Sequence, residues 1–182
     1  ARMGKLAAEY IRALLEKAEP AEAAPLRGCT ATVTLPARQV EPEEQGRRQL
    51  EETTLRWQQA VAKGADAGTV RILKSYAEGA GVNLEFARSM AGIREFNLPV
   101  TVFRFGGLSF ATVPGEFYST LLPEGVTAIC YANGYYRYIA DENAYEAGHY
   151  EAMAAIVARS GGEILSNTIR QLLDNIEMEE TQ

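Results

Sequence analysis

Glu116, a run of phenols and a single imidazole share one short stretch of this chain. It opens with Val113-Pro114-Gly115-Glu116, continues through Tyr131-Ala132-Asn133-Gly134-Tyr135-Tyr136-Arg137-Tyr138, and ends at His149-Tyr150-Glu151. Six of the nine tyrosines fall between positions 131 and 150, beside the only histidine, so the clustering asks for a local cause. A carboxylate, several phenols and an imidazole could hold a metal ion or relay a proton. The same residues could form an aromatic wall that does no chemistry, because tyrosine is common on half-buried sheet surfaces and at interfaces. Taken singly, Glu116 after the Pro114-Gly115 turn reads as a solvated loop carboxylate, Asn133-Gly134 as a turn, and His149 as a surface or capping residue.

The rest of the chain must position these groups. Its 182 residues fit one domain, which would bury about 70% of its unfolded surface. The net charge of −6 and the lack of a basic stripe with interleaved aromatics argue against nucleic acid and anionic membrane surfaces. No apolar run approaches the ~18 residues of a membrane span. Cys29 and Cys130 lie too far apart in sequence for a CxxC site and read as buried apolar residues on strands, with a single disulfide as the alternative. The chain begins Ala1-Arg2-Met3 and runs almost at once into a helix, so any targeting signal is expected upstream.

Apolar spacing predicts a helix over residues 4–18, ended by Pro20, then an Ala/Pro/Glu loop to Pro25. Alternation predicts a strand over Cys29 to Leu35. Pro42, Glu43 and Glu44 suit the start of a second helix that Gly64 stops. A third runs from Ala67 to Glu78, and Asn83 to Met90 reads as a separate short helix. From Pro99 the pattern becomes strands: Pro99 to Phe105, a Gly106-Gly107 hairpin, Leu108 to Val113, then Val126 to Tyr131. Two helices follow, Tyr145 to Arg159 and Glu163 to Ile176. The expected class is α+β, a mixed or antiparallel sheet packed with helices, with 37–95 helical and a candidate insertion.

Three segments carry a family resemblance. They are Val113-Pro114-Gly115-Glu116-Phe117, Tyr131-Ala132-Asn133-Gly134-Tyr135-Tyr136-Arg137-Tyr138-Ile139, and Tyr145-Glu146-Ala147-Gly148-His149-Tyr150-Glu151. Together they resemble the C-terminal part of the catalytic domain of neutral/alkaline, non-lysosomal ceramidases and their bacterial relatives. Gly162-Glu163-Ile164-Leu165 to Leu172-Leu173 is similar to the last helix of the shorter bacterial members, and Gly4-Lys5-Leu6-Ala7 to a helix in mid-domain. The resemblance is specific from 109 to 151 and weak from 37 to 95. It implies that residues 1–182 are either a single domain or the C-terminal half of a larger, sandwich-like catalytic domain.

In that family two histidines, a glutamate and a tyrosine hold a zinc ion that activates water against an amide. By resemblance Glu116 matches the glutamate ligand. Tyr138, the last residue of Asn-x-Tyr-x-x-Tyr, matches the tyrosine ligand. Tyr150 matches a tyrosine that hydrogen-bonds the substrate amide. Tyr131, Tyr135, Tyr136 and Tyr145 are left to packing. The chain departs from the family in two ways. It has no counterpart to the upstream histidines, serine or arginine, and His149 occupies no ligand position. Only 21 residues separate Glu116 from Tyr138, and Phe117 to Leu122 leaves room for about one and a half helical turns where a fuller helix is expected. The resemblance therefore implies zinc only when an upstream histidine half is present, as part of the same protein or as a companion chain. It implies an amide or lipid-amide substrate, and inactivity of this chain alone. Two further expectations stand beside it: a non-catalytic binding or assembly module on the same scaffold, homo-oligomeric or not, and a rebuilt metal site that recruits His149 or ligands from a second copy.

Overall fold

The computed structural model describes residues 2–20 and 24–180, so part of the loop expected before Pro25 lies outside the described residues. The chain runs α1 (Arg2–Leu15), β1 (Leu26–Pro36), α2 (Glu43–Ala62), α3 (Ala67–Ser89), β2 (Glu95–Phe105) and β3 (Leu108–Val113). It continues through β4 (Glu116–Phe117), a 3-10 turn at Ser119–Leu121, β5 (Val126–Cys130), β6 (Tyr138–Ile139), α4 (Glu142–Ala147), α5 (Tyr150–Met153) and α6 (Gly161–Glu180). The class is α+β, as the apolar periodicities predict.

One four-stranded sheet orders its strands β1-β2-β3-β5. The first three are antiparallel, and β5 joins β3 in parallel, so the sheet is mixed. Alternate residues of β1, β2 and β3 point to one face, where Val33, Leu35, Leu98, Val100, Val102 and Val113 are buried. Against that face α6 lays Leu165, Ile169, Leu172 and Ile176, one stripe of a 3.6-residue period. Each such aliphatic contributes roughly 1.5–3 kcal/mol by leaving water. The Cys29 thiol donates to the Leu172 carbonyl at 3.3 Å, which fixes β1 to α6.

Both cysteines are reduced and half-buried on strands. β2 begins at Glu95, four residues before the expected Pro99. Proline hides that start, yet it costs no ladder bond to β3, because β3 pairs only with Thr101 to Phe105.

The helices 37–95 form a hairpin of α2 against α3, and α3 meets the rest of the molecule mainly at α5. Asp66 caps α3 by accepting from the Gly68 and Thr69 amides. The single tryptophan, Trp57, sits inside this hairpin with the Lys74 amine 5.8 Å from its ring centroid. The helix does not end at Glu78 but runs unbroken to Ser89. Gly79, which resembles a breaker in sequence, is where Met153 of α5 packs: an added Cβ would stand 2.8 Å from its methyl.

The helix expected from Tyr145 to Arg159 is not formed. Gly148 takes φ 63, ends α4, and donates to the Ala144 and Tyr145 carbonyls. α5 is then one turn, and the chain leaves it extended so that Val157 bridges Ala37 and the Ala158 amide reaches the Pro36 carbonyl. The run Ala154-Ala155-Ile156-Val157 reads as helical because it is apolar throughout. It is apolar because three of its residues are fully buried against the end of β1.

α1 buries no side chain. Tyr10 is 68% and Leu15 70% exposed, so its apolar stripe meets solvent.

Candidate functional site

Two short strands build the site. β4 and β6 pair in parallel, and the register sets Glu116 directly across from Tyr138. The Glu116 amide donates to the Arg137 carbonyl at 2.8 Å, and the Tyr118 amide to the Ile139 carbonyl at 3.1 Å. Gly115 permits this approach, since a Cβ there would lie 2.6 Å from the Arg137 oxygen. Tyr150, at the start of α5, sets its ring edge-to-face on Tyr138, with centroids 6.1 Å apart. The three residues singled out by resemblance therefore meet in space.

The loop 131–137 folds back over Pro114-Gly115. Tyr131 and Ala132 donate to the Gly115 and Val113 carbonyls, and Tyr136 donates to the Pro114 carbonyl. This path needs left-handed backbone at Tyr131, Asn133 and Arg137, and an open conformation at Gly134. Asparagine tolerates that region, but each of the other two costs roughly 1–2 kcal/mol. Arg137 is anchored by its guanidinium 4.9 Å above the Phe86 ring and by Glu85 at 3.8 Å, both on α3.

Strain at this loop brings two more phenols to Glu116. Tyr135 donates to its carboxylate at 3.2 Å, and Tyr131, stacked on Tyr135 at 5.5 Å, interacts with the same group. Packing is therefore not their only contact, although sequence assigns them nothing more. Tyr136 does pack, edge-on to Phe96 at 5.8 Å. Tyr145 packs too, and donates to the Val157 carbonyl at 2.7 Å. A second phenol–carboxylate pair, Tyr118 with Glu151, lies beside the site and has no signal in the sequence. The span from Phe117 to Leu122 holds β4's end and a single 3-10 turn, not a fuller helix.

The electrostatics are those of protonated phenols near carboxylates. Partial burial, then the Glu116 charge, pushes Tyr138 up to about 12. Burial and Glu151 raise Tyr118 to about 12 as well. Partial desolvation and Glu116 also raise Tyr131 and Tyr135.

His149 stands apart. It precedes α5 and lines an open depression of about 470 Å³ with Arg71, Ile72, Tyr76 and Tyr150. Among the described residues no group of three or more His, Cys, Asp or Glu side chains converges to hold a cation. Glu116 and Tyr138 are two oxygen donors, and a catalytic zinc takes three protein ligands plus an open position. This chain by itself does not fit the ion.

No helix of the described residues is long and apolar enough to cross a membrane. No family model, curated protein or solved structure matches the chain.

Proposed function

We propose that this chain supplies the carboxylate-and-phenol half of a zinc-dependent hydrolase of linear amides, similar to neutral ceramidases. One observation carries the reading: Glu116 and Tyr138 face each other across a two-stranded pair with Tyr150 against Tyr138. The two residues that resemblance marks as ligands are thus neighbours, and the third has its hydroxyl-bearing ring beside them. Imidazole donors from residues outside this chain complete the set, and the chain alone is inactive.

Each side chain has its own task. Glu116 brings negative charge and accepts a hydrogen bond from Tyr135. Tyr138 is a phenol at neutral pH, and only a nearby cation makes its phenolate accessible. Zinc, when bound, supplies a Lewis acid and a water acidic near pH 7. Tyr150 offers a hydroxyl to the substrate amide, worth most where charge develops on its oxygen.

A second reading, a binding module without metal, is favoured by the exposed Tyr131–Tyr135 stack over Glu116. Both readings are tested on the product of the complete gene. Metal analysis is expected to give one zinc per assembly, with Tyr138→Phe weakening zinc at least tenfold and abolishing hydrolysis of N-acyl amides. A gene product with no histidine besides His149 and no histidine-bearing companion, binding no metal, would leave only the binding module.

A further inference from the structure

β1 is the long edge of the sheet. Among the described residues it has a strand, β2, on one side only, and the register of its 11 residues is unbroken from Leu26 to Pro36. The Thr30 and Thr101 hydroxyls meet at 2.8 Å, while Thr112 of β3 engages both the amide and the carbonyl of Thr101. Thr30 and Thr101 are therefore a non-hydrogen-bonded pair. By alternation, the amides and carbonyls of Gly28, Thr30, Thr32 and Thr34 point away from the sheet. The Pro36 carbonyl, next in this series, agrees: it accepts from the Ala158 amide on that same edge. The segment 156–158 thus covers one end of the edge, and from Thr34 back to Leu26 no described strand does.

A long edge is usually blunted by charge, proline or a bulge. Between Gly28 and Leu35 this one has none of the three. The opposite edge, β5, is only 5 residues long. The exposed threonines of β1 suit a strand whose outer face stays in water, so the open groups lie along the backbone and not on that face.

The helix beneath is neutral on the same side. The α6 flank that holds Ser166 and Glu177 turns inward, since Ser166 donates to the Leu121 carbonyl and Glu177 pairs with Arg104 of β2. At ~100° per residue the opposite flank holds Ile164, Thr168, Gln171 and Asn175, and it overhangs the free edge of β1. None of these four is charged, whereas Glu163 and Arg170 lie on the flank of Glu177.

Two such edges fit each other. A two-fold axis at Thr30 sets Thr30 against its own copy, Gly28 against Thr32, and Leu26 against Thr34. Every outward amide and carbonyl of the run then finds a partner, about ten new bonds in all. The run is ~30 Å long, and sheet plus helix are ~15–20 Å deep. That strip is on the order of 500 Å², close to the scale of a stable interface at ~800 Å² of accessible surface per partner. A row of backbone groups is matched only by another extended strand, and the uncharged run gives a charged peptide nothing to pair with.

We infer that two copies of this chain join β1 to β1, antiparallel about Thr30, with the neutral flanks of α6 side by side beneath the seam. Neither Glu116 nor zinc enters this interface, so it stands apart from the hydrolase reading.

The test uses the complete gene product without any metal requirement. Sedimentation equilibrium is expected to show a dimer that dissociates on dilution. Residue-resolved amide exchange is expected to show Thr30, Thr32 and Thr34 protected in the dimer and at least tenfold faster in the diluted monomer. Cys29, Ala31 and Val33, bonded to β2, stay protected in both. Thr30→Pro removes an outward amide and no bond to β2, and the two copies of the change meet at the axis. It is expected to weaken the dimer roughly a hundredfold, at about tenfold per lost bond, with little change in the urea midpoint of the monomer. Thr30→Val keeps the amide and is expected to leave the dimer intact. A protein still monomeric at ~100 µM overturns the inference. So does edge protection that persists in a monomer, which assigns the edge to another part of the same polypeptide. A dimer whose edge amides exchange freely, or one lost only on deleting residues 2–15, places the contact elsewhere and overturns it too.

Discussion

Tyr138 is held as a phenol by its surroundings. Burial first, then the Glu116 charge, raises it from 10 to about 12. A group whose folded pKa lies above its unfolded one stabilises the fold in its protonated form. That contribution is full below pH 10 and is lost as pH climbs through about 12. Replacing Glu116→Gln removes the second-largest cause and leaves burial, the largest. We expect the Tyr138 titration to move down while staying above 10, with Tyr131 and Tyr135 falling alongside. Carbon-13 shifts of ring-labelled tyrosine measure this, and unchanged midpoints would show that Glu116 does not act on these phenols. The sequence distinguishes Glu116, Tyr138 and Tyr150 because their segments form a motif. It leaves Tyr131 and Tyr135 indistinct, because their meeting with Glu116 depends on left-handed backbone that no side-chain pattern encodes.

At the level of elements, the short helices depend on one cation. The Arg38 guanidinium, at the end of β1, donates to the carbonyls of Ala152, Met153 and Ala155 around the end of α5, and to Asn83 on α3. Burial lowers its pKa, and the carbonyl dipoles stand where a carboxylate partner is usual. Arg38→Ala leaves several half-buried acceptors with no donor, and we expect a loss of about 2–4 kcal/mol. Urea unfolding checks the figure; a change below 0.5 kcal/mol, well under that range, would mean water replaces the guanidinium. Boundaries were readable where one rule acts alone, as at Pro42 and in the Gly106-Gly107 hairpin. They were not where a tertiary contact decides, as at Gly79 under Met153, or at Val157 drawn out to bridge Ala37. Gly148 stands in plain view, but only the folded backbone shows that it takes φ 63 and ends α4.

Taken whole, the described residues leave two surfaces uncovered, the open sheet face and the stripe of α1. The sheet's strands could be found by alternation, but its order could not: β5 enters parallel to β3 through a connection with no periodic signature. α1 adds a helix without adding a buried side chain. Removing residues 2–15 is expected to shift the thermal midpoint by less than about 2 °C, since burial is what stabilises a helix of this length. Calorimetry checks it, and a fall beyond about 4 °C would place α1 on the domain in solution.

The position of Trp57 has an experimental consequence. It is the only indole, and it belongs to the α2–α3 hairpin, while six of the nine tyrosines lie between residues 131 and 150, outside that hairpin. Indole emission therefore reports one part of the molecule and tyrosine near-ultraviolet dichroism mainly the other. The hairpin joins the remainder chiefly through α3 and α5. If that seam opens first on heating, the two optical signals separate, and a single melting temperature ceases to describe this protein.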